Sequence, residues 1–223
     1  MILRNFILIF LQTIIFVPLF GQNNNDTIHI INGSFEGKPG CCKPPPRWVD
    51  CGSPRETPTD IHPVLPPLEP LFGVTKKAYD GNTYLGMVVR ENKTYERSSQ
   101  KLTKPLESGK CYNFSIYMNR SMEYQSHTNS YNFQLKSFTT PVLLKIWGGV
   151  AYCHQLELLG TSPPVENTEW QRFDFEFMPQ SNITHFELEA YYSPSSQKPY
   201  NGNLLLDHAS DIILVPCKTS KKK

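Results

Sequence analysis

The sequence predicts an all-β fold, a two-sheet antiparallel β-sandwich of jelly-roll topology. Three observations predict it. Segments such as Trp170-Gln-Arg-Phe-Asp-Phe-Glu-Phe177 and His185-Phe-Glu-Leu-Glu-Ala-Tyr-Tyr192 alternate with period two. Turn signals such as Asp80-Gly81-Asn82 and Pro105–Lys110 stand between such segments. Helical periodicity is nowhere sustained, so units with crossover helices are excluded.

The elements follow in order. Residues 22–30 are polar and read as a frayed start to the mature chain. Residues 38–72 are rich in proline, which removes ladder donors and fixes φ, so they read as a long loop and not as central strand or helix. Trp48, Leu71-Phe72 and three cysteines predict that this loop is tied down. Strands are expected at Thr83–Arg90, at Glu96–Leu102, and at Cys111–Met118, whose alternation is that of a half-buried strand. Others are expected at Asn132–Phe138, Pro141–Trp147, Gln155–Leu159, Trp170–Phe177, His185–Tyr192 and Asn203–Val215. Alternation puts Trp170 on the opposite face from Phe173, Phe175 and Phe177, which read as packing residues.

Residues 1–21 read as a secretory signal peptide. Arg4 precedes the apolar run Phe6–Phe20, and small Gly21 stands before the expected cut. The run is too short to favour a span, and no second long apolar run follows, so no transmembrane segment is expected after cleavage. One domain, 22–217, and a basic tail, 218–223, make up the rest. With 22 Lys and Arg against 20 Asp and Glu, the charge balance does not point to nucleic acid.

All six cysteines lie in the exported part, which favours disulfides over thiolate metal sites. If the strand beginning at Cys111 runs antiparallel to the one ending near Leu214, Cys111 and Cys217 meet at the same end. Adjacent Cys41 and Cys42 are not expected to join each other, which leaves Cys51 and Cys153 as their partners.

Two short stretches bracket the domain: Ile-Ile-Asn32-Gly33-Ser34-Phe35-Glu36-Gly37 and Asn203-Leu-Leu-Leu-Asp207-His208. Together with Leu-Glu-Ser-Gly-Lys-Cys-Tyr-Asn-Phe-Ser and the Trp-led strand at 170, they resemble secreted jelly-roll modules of the galactose-binding-like kind, the carbohydrate-binding modules and their relatives. The opening, the Pro-rich loop with its Trp and the Leu-Leu-Asp ending also resemble envelope proteins of Bacteroidetes that are secreted or OmpA-associated. The longer of these carry a further domain; this chain, ending at Lys223, would act as a free module or through partners. The resemblance implies a structural calcium held by Glu36 and Asp207, with backbone carbonyls near Ser34 and a contribution near Asp80–Asn82 completing the oxygen shell.

A sugar site needs flat aromatic faces and a few polar groups. The candidates are Trp147, Tyr152 and His154, with Tyr191, Tyr192 and Tyr200 near the last strand. No Gly-x-Ser-x-Gly elbow, His-Glu-x-x-His motif or phosphate loop occurs, so no enzyme is expected. The function expected is an exported, secreted or periplasmic, non-catalytic module that recognises a carbohydrate or glycoconjugate at the cell envelope. The alternatives are a structural or adhesive protein that binds an envelope protein and, behind both, a glycoside hydrolase.

Overall fold

The structure is a computed structural model that describes residues 27–127 and 135–218. The expected signal peptide and most of the basic tail lie outside the described residues. In chain order the strands are β1 (Thr27–Ile28), β2 (Val49–Asp50), β3 (Asp60–His62), β4 (Tyr84–Val89), β5 (Arg97–Leu106), β6 (Cys111–Asn119), β7 (Gln125–His127) and β8 (Leu135–Ser137). They continue as β9 (Thr140–Pro141), β10 (Leu143–Gly149), β11 (Glu157–Thr161), β12 (Gln171–Phe177), β13 (Ile183–Tyr191), β14 (Gly202–Asp207) and β15 (Ile212–Val215).

Two curled sheets form the sandwich. An eight-stranded sheet runs β1-β15-β6-β14-β4-β3, with β12 on the other edge of β6 and β9 beside β14. A five-stranded sheet runs β11-β10-β13-β5-β2. Apart from the short β9–β14 contact, every strand pairing is antiparallel. Alternation fills the space between the sheets. Tyr112, Phe114, Ile116 and Met118 of β6 and Leu204 and Leu206 of β14 meet Ile146 of β10 and Phe186, Leu188 and Ala190 of β13. Phe173, Phe175 and Phe177 join this core, while Trp170 turns away to Tyr84, 5.3 Å between ring centres. A smaller second core of Val74, Tyr84, Val88, Tyr124, Phe138 and Leu205 lies on the outer side of the eight-stranded sheet.

Besides the start of the chain, where β1 pairs with β15 and Ile28 and Ile30 are buried in the core instead of frayed, the expected elements shift in four places. The Pro-rich segment contributes the short edge strands β2 and β3, because an edge strand needs ladder donors on one side only. It is anchored where expected: Trp48 is buried against Phe35 at 5.2 Å, and Phe72 stacks on Tyr124 at 5.0 Å. The second shift is in β5, which runs on to Leu106 through Pro105, since β2 pairs with β5 only at Ser98 and Ser99 and demands no donor from Pro105. The expected strand 132–138 falls partly outside the described residues, and its end forms β8 in a two-stranded ribbon with β7.

The last expected strand is two. Asn203–Val215 breaks at His208–Asp211, where His208 takes φ +48° and Ala209 N–H donates to Gly33 O at 2.9 Å. Gly33 has no Cβ because one would stand 2.3 Å from Ala209 O.

Three disulfides join Cys41–Cys42, Cys51–Cys153 and Cys111–Cys217. The pairing of Cys41 and Cys42 with each other corrects the expectation that they reach Cys51 and Cys153. The register of β2 on β5 and the turn after β10 set Cys51 and Cys153 against each other, Cα atoms 5.2 Å apart, which leaves the neighbours only one another.

Candidate ligand site on the five-stranded sheet

Strand β13 builds the site. Phe186, Leu188 and Ala190 face the core, so His185, Glu187, Glu189 and Tyr191 face the other way. Register sets Lys145 opposite Glu189 and Trp147 opposite Glu187 on β10. On β5, Arg97 lies opposite Glu189 and Ser99 opposite Glu187. The result is one strip of aromatic, acidic and basic side chains across the outer face of the sheet.

Trp147 Nε1 donates to Glu189 Oε2 at 2.8 Å. Gln155 Nε2 donates to Glu187 Oε1 at 2.7 Å and to Glu189 Oε1 at 3.2 Å. Arg97 Nη1 donates to Glu187 Oε1 at 3.2 Å. Both glutamates are buried, at 3% and 2% exposure, although they belong to an outer face. Burial pushes the Glu187 carboxyl above the usual range, against the pull of Arg97. Among the described residues, Glu187 Oε2 and Arg97 Nε have no hydrogen-bond partner.

The turn after β10 brings Gln155 into place. Leu156 N–H donates to Gly148 O at 3.0 Å, and the chain curls so tightly that a Cβ on Gly149 would stand 1.9 Å from His154 O. The Cys51–Cys153 disulfide ties this turn to the segment after β2.

The six aromatic candidates separate. Trp147 and Tyr191 share the strip and are half-buried, with Lys145 Nζ 5.8 Å from the first ring centre and 3.1 Å from the second. Tyr192 is a packing residue whose hydroxyl donates to Arg90 O at 2.6 Å, and burial pushes its pKa up to about 12. Tyr200 donates to Pro141 O at 2.8 Å and accepts from Ser193 N–H at 2.6 Å, which holds the loop before β14. Tyr152 is exposed and sits edge-on to His185 at 4.6 Å, beside a separate groove lined by Trp48 and Gln100. His154 is exposed on the same turn. Sequence reasoning passed over Lys145, Glu187, Glu189, Gln155 and Arg97. The alternation of 185–191 puts Glu187, Glu189 and Tyr191 on one face, but which strands flank them is a matter of topology.

Ser34, Glu36, Asp207 and the segment Asp80–Asn82 do come together. Glu36 Oε1 accepts from the N–H groups of Asn82 at 2.7 Å and Thr83 at 3.1 Å. Asp207 Oδ2 accepts from those of Tyr79 at 2.8 Å and Asp80 at 3.0 Å, and its Oδ1 from that of His208 at 2.7 Å. Ser34 Oγ donates to Asp80 Oδ2 at 2.5 Å. Calcium takes oxygen ligands; this cluster gathers three carboxylates and the Ser34 hydroxyl, of which Glu36 Oε1 and both Asp207 oxygens already accept from N–H groups. Among the described residues, the one group of three or more His, Cys, Asp and Glu ligand atoms lying within 4.8 Å of one another is Cys41, Cys42 and Asp60, of which the two cysteine sulfurs are joined.

No family model and no curated protein matches the chain. Solved structures do. A cyclase from Fischerella sp. TAU matches with a TM-score of 0.53 at 12% identity, over 86% of this chain and 98% of its own. The Stig cyclase Fisc from Fischerella sp. TAU, in complex with an indole compound, matches at 0.51 with the same identity and coverage. The CBM22-1 xylan-binding domain of Paenibacillus barcinonensis Xyn10C matches at 0.41 and 12% identity, over 77% of this chain and 87% of its own. The likeness is one of fold. The β-sandwich expected from the sequence is present, and carbohydrate-binding modules are among the structures that resemble it. The expectation that the chain is not an enzyme is overturned: the folds it matches at 0.53 and 0.51 are those of cyclases, so this architecture gives no ground for excluding catalysis.

Among the described residues no helix is long and apolar enough to cross a membrane.

Proposed function

We propose that the chain is an exported carbohydrate-binding protein that holds its ligand on the outer face of the five-stranded sheet. One observation carries the reading: Trp147 and Tyr191 share a half-buried strip with Glu187, Glu189, Gln155 and Arg97 around them. Flat rings suit the C–H faces of a pyranose, and the carboxylates, amide and guanidinium suit its hydroxyls. The signal-like residues 1–21 and three disulfides support export through an oxidising compartment to a secreted or envelope location. A glycan-array screen of the full chain tests it. Saturable binding that is lost in Trp147→Ala and kept in Tyr152→Ala is the expected result. No binding to any glycan, or binding indifferent to Trp147→Ala, overturns it.

A second reading rests on Glu187. A buried carboxyl with a raised pKa beside a second carboxylate is suited to hold a proton and deliver it to a bound ligand. Incubation with bound glycans, followed by mass spectrometry, tests this acid role. A product that disappears in Glu187→Gln while binding persists supports it, and the absence of any product removes it.

A further inference from the structure

The strip on the five-stranded sheet continues past Tyr191 into a pocket of about 380 Å³, within the size range of small-ligand sites. Lys145, Thr161, Tyr191, Ser193, Gln197 and Lys198 line it, and among the described residues no Asp or Glu does. Among the described residues, neither Lys145 nor Lys198 pairs with a carboxylate. The acid nearest Lys145 in register, Glu189, turns its carboxylate to Trp147 Nε1 and Gln155 Nε2. Lys145 instead stands over the Tyr191 ring at 3.1 Å.

That arrangement leaves Lys145 without a full counter-charge. An ammonium partly withdrawn from water needs a counter-charge, and a tyrosine face supplies only part of one. Burial already pulls the Lys145 pKa down, with Glu189 opposing. The strip therefore has two chemical ends: a filled acidic one at Glu187 and Glu189, and a basic one whose cations, among the described residues, pair with no carboxylate.

We propose that the ligand of this face is an acidic saccharide, whose carboxylate or sulfate group enters the pocket at Lys145 and Lys198 while a sugar ring lies against Trp147. The proposal rests on the carbohydrate-binding reading and names the ligand class of that same site. An anion there restores the missing charge partner, and Thr161, Ser193 and Gln197 supply hydrogen bonds to neighbouring hydroxyls.

Calorimetric titration of the full chain with matched pairs of oligosaccharides tests it. One pair is an oligogalacturonate and its methyl ester; the other is a sulfated galactan and its desulfated form. Binding of at least one charged form roughly tenfold tighter than its neutral partner is expected, in line with a charge-assisted hydrogen bond. The preference shrinks as salt rises. It disappears in Lys145→Gln/Lys198→Gln and is kept in Lys145→Arg, with melting temperatures unchanged. The pair that shows it tells a uronate from a sulfate. Equal binding of charged and neutral forms, lost in Trp147→Ala, overturns the acidic class and leaves the carbohydrate reading standing. No binding of any form overturns both.

Discussion

Glu36 and Asp207 come from opposite ends of the domain and hold the same loop by its backbone. Glu36 takes the N–H groups of Asn82 and Thr83, and Asp207 takes those of Tyr79 and Asp80. Their shared loop is so close that a Cβ on Gly81 would stand 2.1 Å from Glu36 Oε1, and Gly81 takes φ +65°. The pair stitches the first and last segments of the sandwich to the turn before β4.

Replacing Asp207 by Ala leaves three backbone donors without their acceptor at a fully buried position. The expected cost is about 2–4 kcal/mol in urea unfolding. Melting with and without chelator tests whether a cation adds to these bonds, and an unchanged melting temperature removes the calcium that the sequence resemblance implies. A fall with chelator would show that calcium organises the loop after all.

The stability that Asp60 and Asp207 contribute is expected to fall as pH rises from about 4 to 7. Burial raises Asp60 from 3.8 to about 6 and Asp207 from 3.8 to about 7. The folded chain therefore binds these protons more tightly than the unfolded chain does. Their contribution is complete below 3.8 and is lost as pH passes through 6 and then 7, on the order of a few kcal/mol in all. Two groups act oppositely: Asp80, which its bonds from Ser34 and then His208 lower, in a window below 3.8, and His62, which burial lowers from 6.5 to about 3, so that its term rises with pH between those values. Melting curves at pH 5 and pH 7.5 read this contribution as the difference in slope between the native chain and Asp60→Asn/Asp207→Asn, which lacks it.

Arg90 and Glu96 form an ion pair with both side chains buried, 6% and 1% exposed. Breaking it in Glu96→Ala leaves a buried guanidinium short of its main partner and is expected to cost about 3–5 kcal/mol. The exposed Arg172–Asp174 pair is the control, and Asp174→Ala is expected to cost less than about 1 kcal/mol. Similar losses in the two variants would contradict the burial argument.

Removing the Cys51–Cys153 disulfide, as Cys51→Ser/Cys153→Ser, is expected to cost about 2–4 kcal/mol and also to weaken glycan binding. The turn it secures carries Gln155, which bridges Glu187 and Glu189. Peptide mapping without reduction is expected to show Cys41 and Cys42 joined within one peptide. A peptide linking either of them to Cys51 or Cys153 would reject this pairing.

Much of this molecule is local in origin. Period-two alternation marked β6, β12 and β13, because each strand buries one face whatever its neighbours are. It also showed that Trp170 and Phe175 face opposite ways. The proline run was legible as irregular chain, since missing donors and fixed φ act within a residue or two. The break in the last strand was not. Residues 203–215 read as one apolar run, and the bend at His208 is set by contacts with Gly33 and Ser115, far away in sequence.

The candidate site divides along the same line. Trp147 and Tyr191 could be named as aromatics near turns, and the glutamates of β13 could be put on one face. That Lys145 stands over Tyr191, that Trp147 bonds to Glu189, and that Tyr192 and Tyr200 serve packing all depend on β10 lying beside β13 in one register. The chain alone was sufficient for the fold class, the strand faces and the loop composition, because propensity and burial period are local. Which side chains meet, which cysteines join and whether an acid faces a cation or an amide were left to the packed sheets, because register and crossover bring together residues whose separation in the sequence carries no such information.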